Sequence, residues 1–133
     1  MKPIPSNFPK NTADVCVVIT AYQPDSHFPK RVERIQMQTE LVIIVIDDGL
    51  VSDEDTKLSR CLLDISNFVI SCLPENLGIA AALNAGMSIA RQKGYRWALT
   101  LDDDTMAVPD MIKQIVESWQ HINRQLGKPI AAI

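Results

Sequence analysis

The sequence predicts an α/β fold: a doubly wound, mostly parallel sheet with helices on both faces. Three observations carry this expectation. Largely apolar runs recur at 15–20, 41–46, 67–73, 96–101 and 129–133, and they lack the in–out alternation of a half-exposed strand, as strands covered on both faces require. Stretches with apolar residues at helical spacing lie between them. Polar, turn-forming residues close each of the first four runs. The chain therefore alternates strand and helix, and crossovers of one hand place successive strands parallel.

Residues 1–14 hold three prolines and read as an extended leader, ahead of a single domain over 15–133. The run 15–20 (Val-Cys-Val-Val-Ile-Thr) is the first strand. Phe28, Val32 and Ile35 fall at i, i+4 and i+7, so 29–39 is expected to be a helix with Pro29 in its first turn. The second strand, 41–46, ends in Asp47-Asp48-Gly49, a sharp turn with two acids. Ser52 and Asp55 resemble a capping box, and Leu58, Cys61, Leu62 and Ile65 form the inner face of a second helix. Pro74 closes the third strand, 67–73. The next helix, 79–93, is rich in alanine and glycine, so it can lie close to the sheet or to a ligand. Gly94 would stop it. A fourth strand over 96–101 runs into Asp102-Asp103-Asp104, and Pro109-Asp110 opens the longest amphipathic helix, marked by Met111, Ile112, Ile115, Val116, Trp119 and Ile122. Gly127 ends it, and 129–133 starts a fifth strand that the chain leaves at Ile133. A chain that stops inside a strand is expected to be a piece of a larger fold.

The 133 residues are 47% hydrophobic, enough for a real core, and carry a formal net charge of −3 with no basic run. A phosphate-backbone interface needs a Lys/Arg stripe, so nucleic acid is excluded as the main partner. No apolar stretch approaches the roughly 18 residues of a membrane-spanning helix, and the N-terminus lacks the apolar centre of a secretory signal. Cys16, Cys61 and Cys72 are odd in number and contain no Cys-x-x-Cys pair, which points to reduced thiols in a cytoplasmic protein.

The chemistry gathers at strand ends. In open α/β sheets, ligands bind outside the carboxyl ends of the strands. Thr20-Ala21-Tyr22, Asp47-Asp48, Asn76-Leu77-Gly78 and Asp102-Asp103-Asp104 follow four successive strands. Three adjacent acids repel one another, and a cation is the simplest reason to keep them together. In an extended chain Asp102 and Asp104 face one side and Asp103 the other, so the outer pair could share Mg²⁺ or Mn²⁺. Such ions take one or two carboxylates and complete their shell with water and phosphates. The set suits a nucleotide diphosphate. A strand-end Asp can accept an imide N–H or a ribose hydroxyl, Tyr22 can lie beside a flat base, and the helix N-terminus after Gly78 adds a favourable field. Each residue also has a plainer reading. Asp47 reads equally as a turn residue, Tyr22 as a half-buried aromatic, and Asn84 as an amide bonded to neighbouring backbone. Trp97 and Trp119 fall at core-periodic positions. His27 and His121 are far apart in sequence and are not expected to hold a metal.

Val-Ile-Thr-Ala-Tyr at 18–22, Val-Ile-Asp-Asp-Gly at 45–49, Glu-Asn-Leu-Gly-Ile-Ala-Ala-Ala-Leu-Asn-Ala-Gly at 75–86 and Leu-Asp-Asp-Asp at 101–104 occur in that order. Over 15–133 the chain resembles the donor-binding half of an inverting family 2 glycosyltransferase of the GT-A fold, and its Asn-Leu-Gly-Ile-Ala run is most similar to rhamnosyltransferase-like members. The resemblance implies a nucleotide-diphosphate sugar donor, with dTDP-rhamnose as the one it suggests, and a glycan or lipid-linked acceptor. It implies that Thr20, Ala21 and Tyr22 border the base, that Asp48 hydrogen-bonds it and that Asp47 shapes the turn. Asn76, Gly78 and Asn84 would support the donor pocket, Asp103 would face the ribose or sugar, and Asp102 and Asp104 would be the metal-binding DXD pair. It also implies polysaccharide biosynthesis in the cytoplasm, at the inner face of the membrane. The family's catalytic base comes from beyond the helix that follows the DXD motif, where only 129–133 remain here, without an acid. The base is therefore expected beyond Ile133, and no residue of this chain is assigned to that role. These residues alone are expected to bind donor without transferring sugar, and apolar surface left by the missing half would favour self-association.

Two other readings compete. A receiver-type phospho-acceptor domain has a similar length and a Lys-Pro pair near its end, as at Lys128-Pro129, but its paired acids follow the first strand rather than the second. A non-catalytic nucleotide-binding or assembly module is the other. A dinucleotide-binding domain is disfavoured because no Gly-x-Gly-x-x-Gly follows the first strand.

Overall fold

The computed structural model describes residues 12–47 and 67–126. A short 3₁₀ turn, Thr12–Asp14, leads into β1, Val15–Ala21. Then come α1 (Phe28–Gln36), β2 (Val42–Ile46), β3 (Phe68–Cys72), α2 (Ile79–Gln92), β4 (Trp97–Asp102) and α3 (Met111–Leu126). The four strands form one sheet in the order β3-β2-β1-β4, with every neighbouring pair parallel. The helix expected over 52–65 lies outside the described residues. So does the strand expected over 129–133, Ile133 included.

Burial follows this order. β1 and β2 lie inside the sheet, and their apolar residues are sealed from solvent. β3 and β4, at the margins of the described sheet, are only partly covered. Successive side chains of the inner strands point to opposite faces. Val15, Val17, Ile19 and Ala21 of β1 join Val42, Ile44 and Ile46 of β2 against Phe28, Val32 and Ile35 of α1 and Ile112 and Val116 of α3. Cys16 and Val18 join Ile43 and Val45 on the other face, beneath Ala82 and Ala90 of α2. Helices thus cover both faces, as the strand composition requires. Each fully buried Val or Ile contributes about 1.5–3 kcal/mol.

Small residues decide how close α2 comes. A Cβ on Gly86 would run into Val18 Cγ1 and lie 3.3 Å from Val45 Cγ2, so only glycine fits there. The helix ends in a Schellman motif, with Tyr95 N–H donating to Ala90 O and Gly94 N–H to Arg91 O, and with Gly94 at φ +89°. The two tryptophans pack edge to face, with ring centroids 4.4 Å apart.

α1 is shorter than its apolar spacing predicts, ending at Gln36 rather than near 39. The residues beyond are drawn to tertiary partners. The Gln38 amide donates to Val108 O at 2.8 Å and accepts from Ile112 N–H at 3.1 Å, while the Thr39 hydroxyl donates to Val15 O at 3.2 Å. The sheet order also excludes the receiver reading, because that flavodoxin-like arrangement sets the third strand beside the first, and here β3 pairs with β2.

Candidate functional site

The strand order reverses at β1: β2 and β3 extend to one side and β4 to the other. At such a switch point the connections leave in opposite directions and open a crevice at the carboxyl ends of the strands. Register puts Thr20 beside Asp102 across the β1–β4 pair and Ala21 beside Ile46 across β1–β2. A cleft of about 450 Å³ lies above these ends. Thr20, Ala21 and Tyr22 line it from β1, Asp47 from β2, and Asp102, Asp103 and Asp104 from β4. Asn76, Gly78, Ile79 and Ala82 close it from the entrance to α2.

Nine of the eleven residues expected from sequence therefore share one cavity. Asn84 does not line it and is exposed on α2. Asp48 lies outside the described residues. The same holds for Ile133, the position beyond which the catalytic base is expected, since the described residues end at Leu126. Ile79 and Ala82 are additions. Their apolar side chains at a helix start carried no chemical signal in the sequence.

Asp47 has a structural task. Its carboxylate is buried and takes a backbone N–H on each oxygen, Leu77 at 2.8 Å and Gly78 at 3.0 Å. Gly78 N–H is shared with the Asn76 side-chain oxygen at 3.2 Å. Gly78 sits at φ +93°, ψ 166°, a region that side chains oppose. Asp47, Asn76 and Gly78 together fix the loop from β3 into α2. Both oxygens of Asp47 thus engage the protein's own backbone while the residue lines the cleft, so it shapes the pocket.

The acidic segment differs from the extended chain assumed above. β4 ends at Asp102, and Asp103 and Asp104 are the central residues of a turn closed by Thr105 N–H to Asp102 O at 3.2 Å. Strand alternation no longer separates Asp103 from its neighbours, and all three acids line the cleft. Asp102 and Asp104 are exposed, while Asp103 is half-buried and its Oδ2 accepts a long hydrogen bond, 3.4 Å, from Tyr22 N–H. Arg31 comes up from α1, its Nε donating to Asp103 O at 2.8 Å and its Nη2 pairing with Asp25 Oδ1 at 3.0 Å. The guanidinium bond and the His27 N–H hold the Asp25 carboxyl below its ordinary range. Away from the cleft, burial pushes the Cys16 thiol up to about 11.

Among the described residues, no group of three or more His, Cys, Asp or Glu side chains is placed to hold a metal. A cation here would need an open arrangement, with the exposed carboxylates of Asp102 and Asp104 as the donors and the remaining positions left to water and phosphate. Hard cations such as Mg²⁺ accept such sites.

The model described as Glycosyl transferase family 2 matches residues 16–127. The chain belongs to glycosyl transferase family 2. The poly-beta-1,6-N-acetyl-D-glucosamine synthase of Staphylococcus aureus is 34% identical to this family 2 chain over 79 residues, covering 59% of the chain and 18% of the synthase. The glucosyl-dolichyl phosphate glucuronosyltransferase of Haloferax volcanii is 32% identical over 113 residues, 80% of this chain and 34% of that protein. The crystal structure of TarS 1-349 from S. aureus superimposes with a TM-score of 0.63 at 17% identity, covering 83% of this chain and 33% of that one. That likeness shows the fold, and the family 2 chain has the GT-A architecture expected of it. It spans between 18% and 34% of the length of these three proteins. Neither curated relative is named for rhamnosyl transfer. No helix among the described residues is long and apolar enough to cross a membrane.

Proposed function

We propose that this family 2 domain binds the nucleotide-diphosphate sugar donor of an inverting glycosyltransferase that builds a cell-surface glycan. One observation carries the reading: acids at the end of β4, Tyr22 and the N-terminus of α2 converge on a single cleft at the switch point of the sheet. Tyr22 is 53% exposed, so its ring is free to lie against a base. Asp48, next to the buried Asp47, would accept the imide N–H of a uracil or thymine. Asp103 would meet the ribose or sugar hydroxyls. The first N–H groups of α2, which have no acceptor within the helix, add a favourable field for negative charge. Asp102 and Asp104 would hold a divalent cation, Mg²⁺ or Mn²⁺. Such an ion supplies charge neutralisation that stabilises the nucleoside diphosphate as a leaving group.

The acceptor hydroxyl would attack the sugar C1 with inversion as the C1–O bond to the diphosphate breaks. Its activating base is not assigned to any residue of this cleft and is proposed to lie beyond Ile133. Residues 1–133, which match about a third of their relatives or less, are accordingly proposed to bind donor and to transfer no sugar alone. The donor sugar is open to test: dTDP-rhamnose by resemblance, N-acetylglucosaminyl or glucuronosyl donors by the names of the relatives. The cytoplasmic side of the membrane is the proposed place of action.

Calorimetry with Mn²⁺ plus UDP, dTDP or GDP tests the assignment. The wild type is expected to bind one of them only with the metal, and Asp104→Ala to lose about 1.4 kcal/mol or more, at least tenfold in affinity. Equal binding with and without metal would sink the role given to Asp102 and Asp104.

A further inference from the structure

The acidic turn is held from outside by a residue that does not line the cleft. Asp102 to Thr105 form a hydrogen-bonded turn, so the peptide joining Asp103 to Asp104 is its central peptide. Type I and type II turns differ by a flip of that unit, and type II needs positive φ at the third residue. Here that residue is Asp104. Aspartate tolerates positive φ better than most residues, so the flip is accessible to this sequence. In the structure neither Asp103 nor Asp104 has positive φ. The oxygen that a flip would swing away is Asp103 O, and Arg31 Nε is bonded to it at 2.8 Å. Arg31 is itself pinned: its side chain is 16% exposed, and its Nη2 is tied to Asp25 at 3.0 Å. Two nitrogens of one planar guanidinium thus serve two partners, a geometry that lysine cannot reproduce.

We propose that Arg31 is a positioning residue that locks the central peptide of the acidic turn and thereby sets the directions in which Asp102 and Asp104 present their carboxylates to a donor's diphosphate. The consequence for binding rests on the donor-site reading above, whereas the lock itself does not. Its positive charge also offsets part of the repulsion among the three acids.

The test uses the ¹⁵N-labelled full chain as wild type, Arg31→Gln and Arg31→Lys. Three quantities are read: melting temperature, the backbone amide resonances of Asp104 and Tyr22, and affinity for UDP or dTDP with Mn²⁺. The Asp104 N–H belongs to the central peptide and reports the flip directly. Both variants are expected to shift or broaden these amides with little change in melting temperature, and to lose about tenfold in affinity, the scale of one charge-assisted hydrogen bond. Unchanged Asp104 resonances overturn the lock. Full recovery by Arg31→Lys also overturns it, assigning the effect to charge alone. If the wild type binds nucleotide and both variants bind equally well, the positioning role is lost. If the wild type binds no nucleotide, the donor-site reading fails instead, and the amide resonances alone decide on the lock. Should Arg31→Gln melt far below the wild type, Arg31→Lys carries the comparison.

Discussion

Asp47 and Gly78, thirty-one residues apart, are joined by a hydrogen bond from the Gly78 N–H to the Asp47 carboxylate at 3.0 Å, and the other oxygen of Asp47 holds Leu77. The end of β2 thus sets the start of α2. Asp47→Asn replaces one acceptor oxygen with an amide that opposes a backbone N–H. A loss of about 1–3 kcal/mol is expected, read as a fall of several degrees in melting temperature. A variant as stable as the wild type would show that the loop is held by other means.

Gly78 and Gly94 both have positive φ, but they differ in kind. Gly94 occupies a left-handed helix end, where asparagine is tolerated. Gly78, at φ +93° and ψ 166°, lies where essentially only glycine resides. Among the described residues nothing stands within 4 Å of a Cβ at either place, so the difference is one of backbone. Chemical denaturation should find Gly78→Asn costing about 1–3 kcal/mol and Gly94→Asn clearly less. The reverse order would contradict the assigned conformations.

Gly86 is where α2 meets the sheet. Gly86→Ala drives a methyl into Val18 and is expected to cost about 1–3 kcal/mol. Adding Val18→Ala makes room, so the double variant should lose less than the two single losses combined. Strict additivity in that cycle would place the helix farther from β1 than the structure has it.

Gln36 offers a gain. It is 6% exposed, and neither its Nε2 nor its Oε1 has a hydrogen-bond partner among the described residues. An unsatisfied buried amide costs about 1–3 kcal/mol. Gln36→Leu is therefore expected to raise the melting temperature. A fall would mean that the amide has a partner in solution.

Most of the described elements were legible in the sequence because their causes are local. The apolar, β-branched runs at 15–20 and 41–46 fit strands covered on both faces. Pro29 and Gly94 marked a helix start and a helix stop. The acids at 102–104 could be placed at a strand end because the run before them is apolar. Local reasoning failed where a residue answers to a distant partner. The alternation inferred for Asp102 to Asp104 assumed an extended chain, and a turn replaced it. Arg31 carries no signal in the sequence beyond its place in an amphipathic helix. Its contact with Asp103 lies 72 residues away and leaves no trace in local spacing. Gln38 escaped notice for the same reason, with Ile112 74 residues away. Asn84 is assigned to the pocket by resemblance, and the structure places it exposed on α2, outside the residues that line the cleft.

The sequence by itself determined the succession of strands and helices, the two-sided burial of the first strands and the carriage of polar residues on strand ends, since propensity, periodicity and turn chemistry act over a few residues. Only the tertiary structure decided that β4 lies beside β1, that the strand ends therefore open on one cleft, and that Asp47 serves the backbone while Arg31 holds the acidic turn. Those outcomes depend on which surfaces pack together, and hydrogen bonds between segments far apart in the chain form only after that packing has brought them into reach.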